Sequence, residues 1–405
     1  MFTVRTPEEV FSIIRTEFHP LTGTESVRLS ECCGRILADP ILSEEYVPGF
    51  SRSTVDGYAV IASDTFGCSD SIPALLTVAG EIRMGESADV PILPGSCYAV
   101  PTGGALPPGA DAVVMVEYTE DYGDGTTGVL KPASPGLNMI RKGEDLVPGK
   151  AVLPAGRKLG IPDIGALASL GILSVTVRKK PLVGIISTGD ELVPPEAVPK
   201  PGQIRDINTQ MLDSLCREMG ARTRVFGIIT DDSAKLSRTL EEAIAACDLV
   251  LISGGSSVGA RDVAAQVIEQ QGRILLHGIA MKPGKPTILG CAGNKPVFGL
   301  PGHPVAAFFI TRLFVRAAIA RLSGTEYDTF TTPAVLTEAV SANHGRSEAL
   351  GVRLIRDGSR LLARPLRTKS GLVSALAGSD GFITIDRDCE GLPAGAVVDA
   401  AVYQI

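Results

Sequence analysis

This 405-residue sequence lacks the ligand spacing of a zinc site: its eight cysteines are scattered, Cys32 and Cys33 are adjacent, and no C-x-x-C pair occurs. The same scatter gives no disulfide framework, so buried, reduced thiols in a cytoplasmic protein are the expectation. The four histidines, His19, His277, His303 and His344, have no ligand spacing either. They build no Ser–His–Asp or Cys–His arrangement, and covalent catalysis is not indicated. An excess of positive charge is also missing. With 38 Lys and Arg against 45 Asp and Glu, the net charge is −7 and no basic cluster stands out. Nucleic acid or an anionic membrane surface is therefore not the expected main partner, and any anion site has to be built locally against the overall field. No uncharged run reaches the roughly 18 residues that a membrane span requires. The most apolar helical candidate, residues 304–322, carries Arg312, Arg316 and Arg321. The opening MFTVRTPEEVF puts acidic residues where a signal peptide needs an apolar core.

What is present is a globular composition, 44% apolar over a length that suits two to four domains. Thr6-Pro7-Glu8-Glu9 reads as a capped helix start, followed by Val10, Ile13, Ile14 and Phe18 on one face. Residues 72–140 alternate short β-rich runs with Gly/Pro turns and predict a small inserted sheet or barrel. Residues 161–170 predict a helix, and Arg178-Lys179-Lys180-Pro181 a domain boundary. From 182 the pattern changes to strand and helix in alternation: strands at 182–186, 223–229, 249–252, 274–276, 287–289 and 297–300, helices at 208–219, 233–246, 262–271 and 305–322. Ser233 is the expected cap of the second of these helices. Such alternation means a doubly wound α/β domain, whose ligands sit at the carboxyl ends of the strands. Residues 328–405 return to β character.

The strand ends carry the candidate chemistry. The stretch 248–262, DLVLISGGSSVGARD, runs from a buried strand through Gly254 and Gly255 to a helix start, which presents bare N–H groups to an anion. Gly254 and Gly259 have phosphate-loop spacing, but Ala260-Arg261 stands where Lys-Ser/Thr is required, so this is no Walker A motif. Asp190, Glu191, Asp231, Asp232 and Asp262 lie at or beyond strand ends. That suits Mg²⁺, which takes one or two carboxylates plus substrate oxygens. In Met281-Lys282-Pro283-Gly284-Lys285-Pro286, two lysines held in a Pro/Gly turn read as a rigid cationic clamp for phosphate or another oxyanion.

Seven stretches, STVDGYA (53–59), Pro101-Thr102-Gly103, Gly143-Glu144-Asp145, STGDEL (187–192), SGGSSVGARD (253–262), KPGKP (282–286) and GLPGHPV (299–305), occur in an order that resembles the MoeA family of molybdopterin molybdenumtransferases. The C-terminal domain of gephyrin belongs to the same family. The resemblance implies an α/β multidomain fold of four parts. These are a discontinuous helical domain (1–45 and 141–178), an inserted β domain (46–140), the α/β domain (179–326) and a C-terminal β domain (327–405). It implies a homodimer whose cleft lies between one subunit's α/β domain and the other's inserted domain. The implied reaction is Mg²⁺-assisted release of AMP from adenylylated molybdopterin, with insertion of molybdate. The molybdopterin adenylyltransferase is a candidate partner.

Carried over by motif, Asp56, Thr102 and Asp145 would face the cleft, with Glu191 and either Asp231 or Asp232. Asp190 and Asp262 would serve Mg²⁺. Gly254, Gly255, Ser256, Ser257 and Gly259 would cradle an anion, with Lys282, Lys285, Pro301 and Ser370 around it. The chain departs from the family pattern at His303, where Asn is usual, and at Ser256, where Val is common. It departs also at Gly351, where a second arginine is expected after Arg346 and where Arg353 is the nearest substitute. Alternatives are a tungstate-inserting paralogue, an adenylyltransferase-like enzyme and a gephyrin-like scaffold. The domains flanking 180–325 argue against the second.

Overall fold

The run Leu182–Thr188 is buried from Val183 onward, as a strand covered on both faces must be. It is the first strand, β1, of the α/β domain in a computed structural model of the chain. The structure describes residues 4–254, 258–327, 329–367 and 369–403, with residues 258–262 given by their backbone alone. The further elements are α1 (Asn208–Glu218), β2 (Arg222–Ile229), α2 (Ser233–Ala246), β3 (Leu249–Gly254), α3 (Val258–Gln271), β4 (Arg273–His277), β5 (Ile288–Ala292), β6 (Lys295–Leu300), α4 (Pro304–Ile310) and α5 (Arg316–Ser323). The sheet runs β2-β1-β3-β6-β5-β4. Its first four strands are parallel, and β5 is antiparallel to both neighbours. β5 and β6 form a hairpin because Gly293 and Asn294 both take positive φ, 56° and 63°, as the two central residues of a type I′ turn do.

Helices cover both faces. On one, Leu212 and Leu215 of α1, Phe309 of α4 and Phe314 pack on β1 and β3 together with Val10, Ile14 and Phe18 from the N-terminal helix Pro7–Glu17. On the other, Leu236 and Leu240 of α2 meet Val267 and Ile268 of α3. Each such fully buried side chain contributes roughly 1.5–3 kcal/mol relative to exposure. The N-terminal helix starts as its sequence predicts. Thr6 Oγ1 accepts from Glu9 N–H, Glu9 reaches back to the Thr6 N–H, and Pro7 sits where no N–H is needed.

Three boundaries differ from expectation. The helix after β3 starts at Val258, ahead of Arg261-Asp262. The α2 cap is Asp232, not Ser233: its carboxylate accepts from the N–H groups of Ala234 and Lys235. The predicted continuous helix 305–322 is interrupted by a π-helical turn, Thr311–Val315. The wider turn carries Arg312, which is buried. It donates from Nη1 to both Glu218 carboxylate oxygens at 2.6 Å and from Nη2 to the Tyr403 carbonyl at 2.6 Å.

The C-terminal strands β7 (Thr331–Leu336), β8 (Ser347–Asp357), β9 (Arg360–Pro365), β10 (Gly381–Ile385) and β11 (Val397–Val402) pair in the order β8-β9-β7-β11-β10. β10 pairs back with β8, which closes a barrel around Val352, Ala363, Ile383 and Ala400. The short strand Met281–Lys282 runs parallel to the start of β8. Tyr403 stacks on Phe382 and meets Phe308 edge-on, and burial pushes its phenol up to about 12.

The chain divides into two compact units, Met1–Glu25 with Arg178–Ile405, and Ser26–Val177. In the second, a six-stranded sheet encloses Val60, Leu76, Cys97, Val114 and Val129. A further cluster of Cys32, Leu37, Leu159 and Leu167 surrounds the helix Ile161–Ser169. Five of the free cysteines are buried, whereas Cys33 is exposed. Among the described residues no helix is long and apolar enough to cross a membrane.

The Asp232 carboxyl is held below its usual range, first by the Lys235 N–H and further by the Ala234 N–H and nearby cations. Its stabilising effect is therefore full above the unfolded-state value and lost as pH falls through the lower folded-state value. Asp232→Ala should lower the denaturant midpoint while Asp232→Asn, which can still cap, should nearly preserve it. Equal loss in both variants would show that the cap is not what the carboxylate contributes.

Candidate functional site

β1 and β3 are neighbours, yet the helices that follow them lie on opposite faces, so a crevice opens between their carboxyl ends. The strands close to within backbone contact there. A Cβ at Gly254, whose φ is 154°, would stand 2.0 Å from the Thr188 carbonyl oxygen, so only glycine fits. The crevice widens into a cleft of about 630 Å³ lined by Thr188, Glu191, Asn208, Ser253, Gly254 and Gly302.

Buried polar groups order this cleft. Asn208 Nδ2 donates to the Gly302 carbonyl and to Ser253 Oγ, both at 2.8 Å. A carbonyl only accepts, so this contact fixes which end of the amide is nitrogen. Asn208 Oδ1 is buried without a hydrogen-bond partner. Behind it, Ser187 Oγ lies 2.8 Å from Thr209 Oγ1, which donates to Asp206 Oδ2 at 2.6 Å.

The acidic strand ends separate by role. Thr188 Oγ1 donates to Asp231 Oδ1 at 2.9 Å, and the Asp231 N–H donates to Asp190 Oδ1 at 3.2 Å. Of the two candidates Asp231 and Asp232, it is therefore Asp231 that joins Asp190, while the expected site residue Asp232 is engaged in capping α2. Glu191 lines the strand-end cleft, whereas Asp190 lines an adjoining hollow of about 590 Å³. Among the described residues no three His, Cys, Asp or Glu side chains converge as a metal cage. Gly255, Ser256 and Ser257 lie outside the described residues, and Gly259 and Asp262 are described only as backbone of α3.

A second cleft of about 630 Å³ lies where the KPGK turn and the PGH turn meet the barrel. Lys282, Lys285, Arg346, Lys369 and Ser370 line it, with Pro301 and His303. Gly284, φ 116°, has no room for a side chain, because a Cβ would reach within 2.5 Å of Ile310. Lys285 is exposed in this cleft. Lys282, expected to stand free, is instead paired: it donates to Glu348 Oε1 and Oε2 at 3.0 and 3.2 Å. The two residues are register partners in adjacent parallel strands, which no local reading of KPGK reveals. Arg346 lines the cleft and Arg353 does not. Ser370 Oγ lies 2.9 Å from His303 Nδ1. Sequence reasoning missed Asn208, Glu348 and Lys369. Asn208 had a signal, a polar residue opening a helix on its inward face.

In the second unit, Asp56 and Thr102 come together across 46 positions: the Thr102 N–H and Oγ1 both donate to Asp56 Oδ1, at 2.7 and 3.0 Å. These bonds, the backbone one foremost, hold the Asp56 carboxyl below its usual range. Gly57, next in sequence, passes the Val114 carbonyl so closely that a Cβ would come within 1.9 Å of it. Asp145 is exposed. Its N–H donates to the Val47 carbonyl and its own carbonyl accepts from Lys150 Nζ, and among the described residues no hydrogen bond ties it to Asp56 or Thr102.

Family profiles match residues 5–171 as the MoeA N-terminal region (domain I and II), 184–321 as "Probable molybdopterin binding domain", and 333–403 as the MoeA C-terminal region (domain IV). The chain is 32% identical to the molybdopterin molybdenumtransferase of Bacillus subtilis, covering 100% of this chain and 96% of that one. It is 37% identical to the enzyme of the same name from Haemophilus influenzae, covering 75% and 74%. The crystal structure of the molybdopterin biosynthesis protein moeA from Pyrococcus horikoshii superposes with a TM-score of 0.88 at 34% identity, covering 99% and 100%.

Thr102→Val should raise the Asp56 carboxyl toward its ordinary value without fully restoring it, since the backbone N–H remains. Thr102→Ser should leave it low. An NMR titration of the Asp56 carboxyl measures both, and no change in Thr102→Val would remove the hydroxyl from this pair.

Proposed function

Because the chain belongs to the MoeA family, we propose that it is a molybdopterin molybdenumtransferase of molybdenum cofactor biosynthesis, a transferase. The finer reading is that it takes adenylylated molybdopterin and molybdate as substrates and releases AMP with Mg²⁺. The observation that supports it best is a pair of adjoining clefts, each of about 630 Å³ and both lined by His303. One gathers Lys285, Arg346, Lys369 and the Ser370 hydroxyl in a protein of net charge −7, a local excess of donors suited to an oxyanion. The other lies at the switch point of a doubly wound sheet, with backbone and amide groups suited to an organic ligand.

In this reading the cationic cleft holds molybdate while the strand-end cleft holds the pterin substrate beside it. Holding both reactants in adjoining clefts replaces a bimolecular encounter with a bound geometry. Mg²⁺ would neutralise charge at the phosphate bridge to AMP. Asp190 would hold that ion, with Asp262 added by its motif, because Mg²⁺ keeps substrate oxygens and water in its shell and needs only one or two carboxylates; the Asp231 N–H fixes the Asp190 carboxylate in place. Asp56, kept ionised by Thr102, would be a fixed hydrogen-bond acceptor for a substrate donor. The assembly implied is a homodimer, acting in the cytoplasm. Tungstate would meet the same cations, so the reading extends to that oxyanion.

The test is incubation of the full chain with adenylylated molybdopterin, molybdate and Mg²⁺, following AMP and active cofactor. We expect both products. Lys285→Met should raise the molybdate concentration needed at least tenfold, and Asp190→Asn should slow AMP release more than it changes molybdate demand. Absence of AMP release from the unaltered protein would overturn the reading.

A further inference from the structure

His303 lines both clefts, and its ring is placed by contacts on two sides. Its Nδ1 lies 2.9 Å from Ser370 Oγ, and Ser370 lines the cationic cleft. Its Cδ2 lies near Gly371, where a Cβ would stand 3.9 Å from it, and Gly371 lines the strand-end cleft. Nε2 is bonded to Cδ2. The backbone fixes this arrangement. His303 immediately precedes α4, with Pro304 at its first position, and the Val305 N–H donates to the Ser370 carbonyl at 3.2 Å.

A serine hydroxyl has one proton to give. If Ser370 gives it to Nδ1, the oxygen lone pairs face the cleft and repel an oxyanion. If Nδ1–H donates to Ser370 Oγ instead, the hydroxyl proton is free to bind that oxyanion. Neutral imidazole carries a proton on one nitrogen only, so the Nδ1–H tautomer leaves Nε2 as a bare acceptor on the strand-end side. A ligand N–H or O–H that donates to Nε2 holds the ring in this tautomer.

We propose that His303 is a positioning residue that couples the two clefts: a hydrogen-bond donor bound in the strand-end cleft fixes the Nδ1–H tautomer and so turns the Ser370 hydroxyl proton toward an oxyanion in the cationic cleft. This rests on the oxyanion reading of that cleft given above. The coupling is reciprocal, each ligand raising the affinity of the other by the same factor. It favours simultaneous occupancy and disfavours filling of the cationic cleft by an inorganic anion alone.

Calorimetry on the full chain tests it, with molybdate titrated in the presence and absence of saturating AMP as the strand-end probe. In the unaltered protein AMP should tighten molybdate binding by about fivefold or more, the lower end of ordinary coupling between sites. His303→Ala and Ser370→Ala should each weaken molybdate binding and abolish the AMP effect. His303→Asn should restore the binding lost in His303→Ala, because its amide N–H can donate to Ser370. It should not restore the AMP effect, because an amide has no second tautomer. Thermal midpoints of the variants confirm folding. Molybdate binding that AMP does not alter, or an AMP effect that survives in His303→Asn, overturns the coupling alone. Absence of molybdate binding by the unaltered protein overturns the oxyanion reading, and the coupling with it.

Discussion

The parallel pairing of Met281–Lys282 with the first residues of β8 is the contact on which the cationic cleft depends. It is extended by the Ser347 N–H donating to the Ala280 carbonyl at 2.9 Å. This ladder docks the barrel against the α/β layer at the KPGK turn and brings Arg346 and Glu348 beside two lysines that lie some sixty residues earlier. A second tie is the buried Arg312, which links α1 through Glu218 to the barrel's last strand region through the Tyr403 carbonyl. Phe309 and Phe382 pack edge-on across the same junction. Only the Arg312 side of the Arg312–Glu218 pair is buried, so removing the half-exposed Glu218 would leave the guanidinium with the Tyr403 carbonyl and ring as its remaining partners. The cleft is thus a consequence of tertiary docking, with no strand or helix of its own.

Electrostatics explains why the site is confined to this place. The chain is acidic overall, so long-range steering does not concentrate anions on it. What attracts an oxyanion has to be short-range: Lys285, Arg346 and Lys369 around a partly enclosed volume, with Lys282 already neutralised by Glu348. The strand-end cleft works differently. It relies on an amide, hydroxyls and a glycine contact that fix donor and acceptor directions, and Asp206, Thr209 and Ser187 hold those directions from behind. His303 stands at the wall between the two kinds of recognition.

Much of the fold was legible in the sequence because its signals are local. Continuous apolar runs identified β1 and β3, a capping box and helical periodicity identified the N-terminal helix, the helical run alone identified α2, and the strand-end glycines marked the crevice. The same locality explains the misses. Asp232 and Ser233 are both good caps, and only the geometry of the β2–α2 turn decides between them. The helix at Val258 begins before its first charged pair, so the Arg261-Asp262 pattern marked its interior. The motif residues Asp56 and Thr102 were legible as separate pieces, and the sheet brings them into hydrogen-bond contact. Glu348 was invisible, since nothing in its neighbourhood announces a lysine 66 residues away as its strand partner.

The most direct measurement of the central claim is anomalous diffraction at the molybdenum edge from crystals of the protein soaked with molybdate. The account predicts a peak in the cationic cleft within hydrogen-bond reach of Lys285, Arg346 and Ser370. A peak confined to other parts of the surface, or none in that cleft at concentrations that support AMP release, would contradict it.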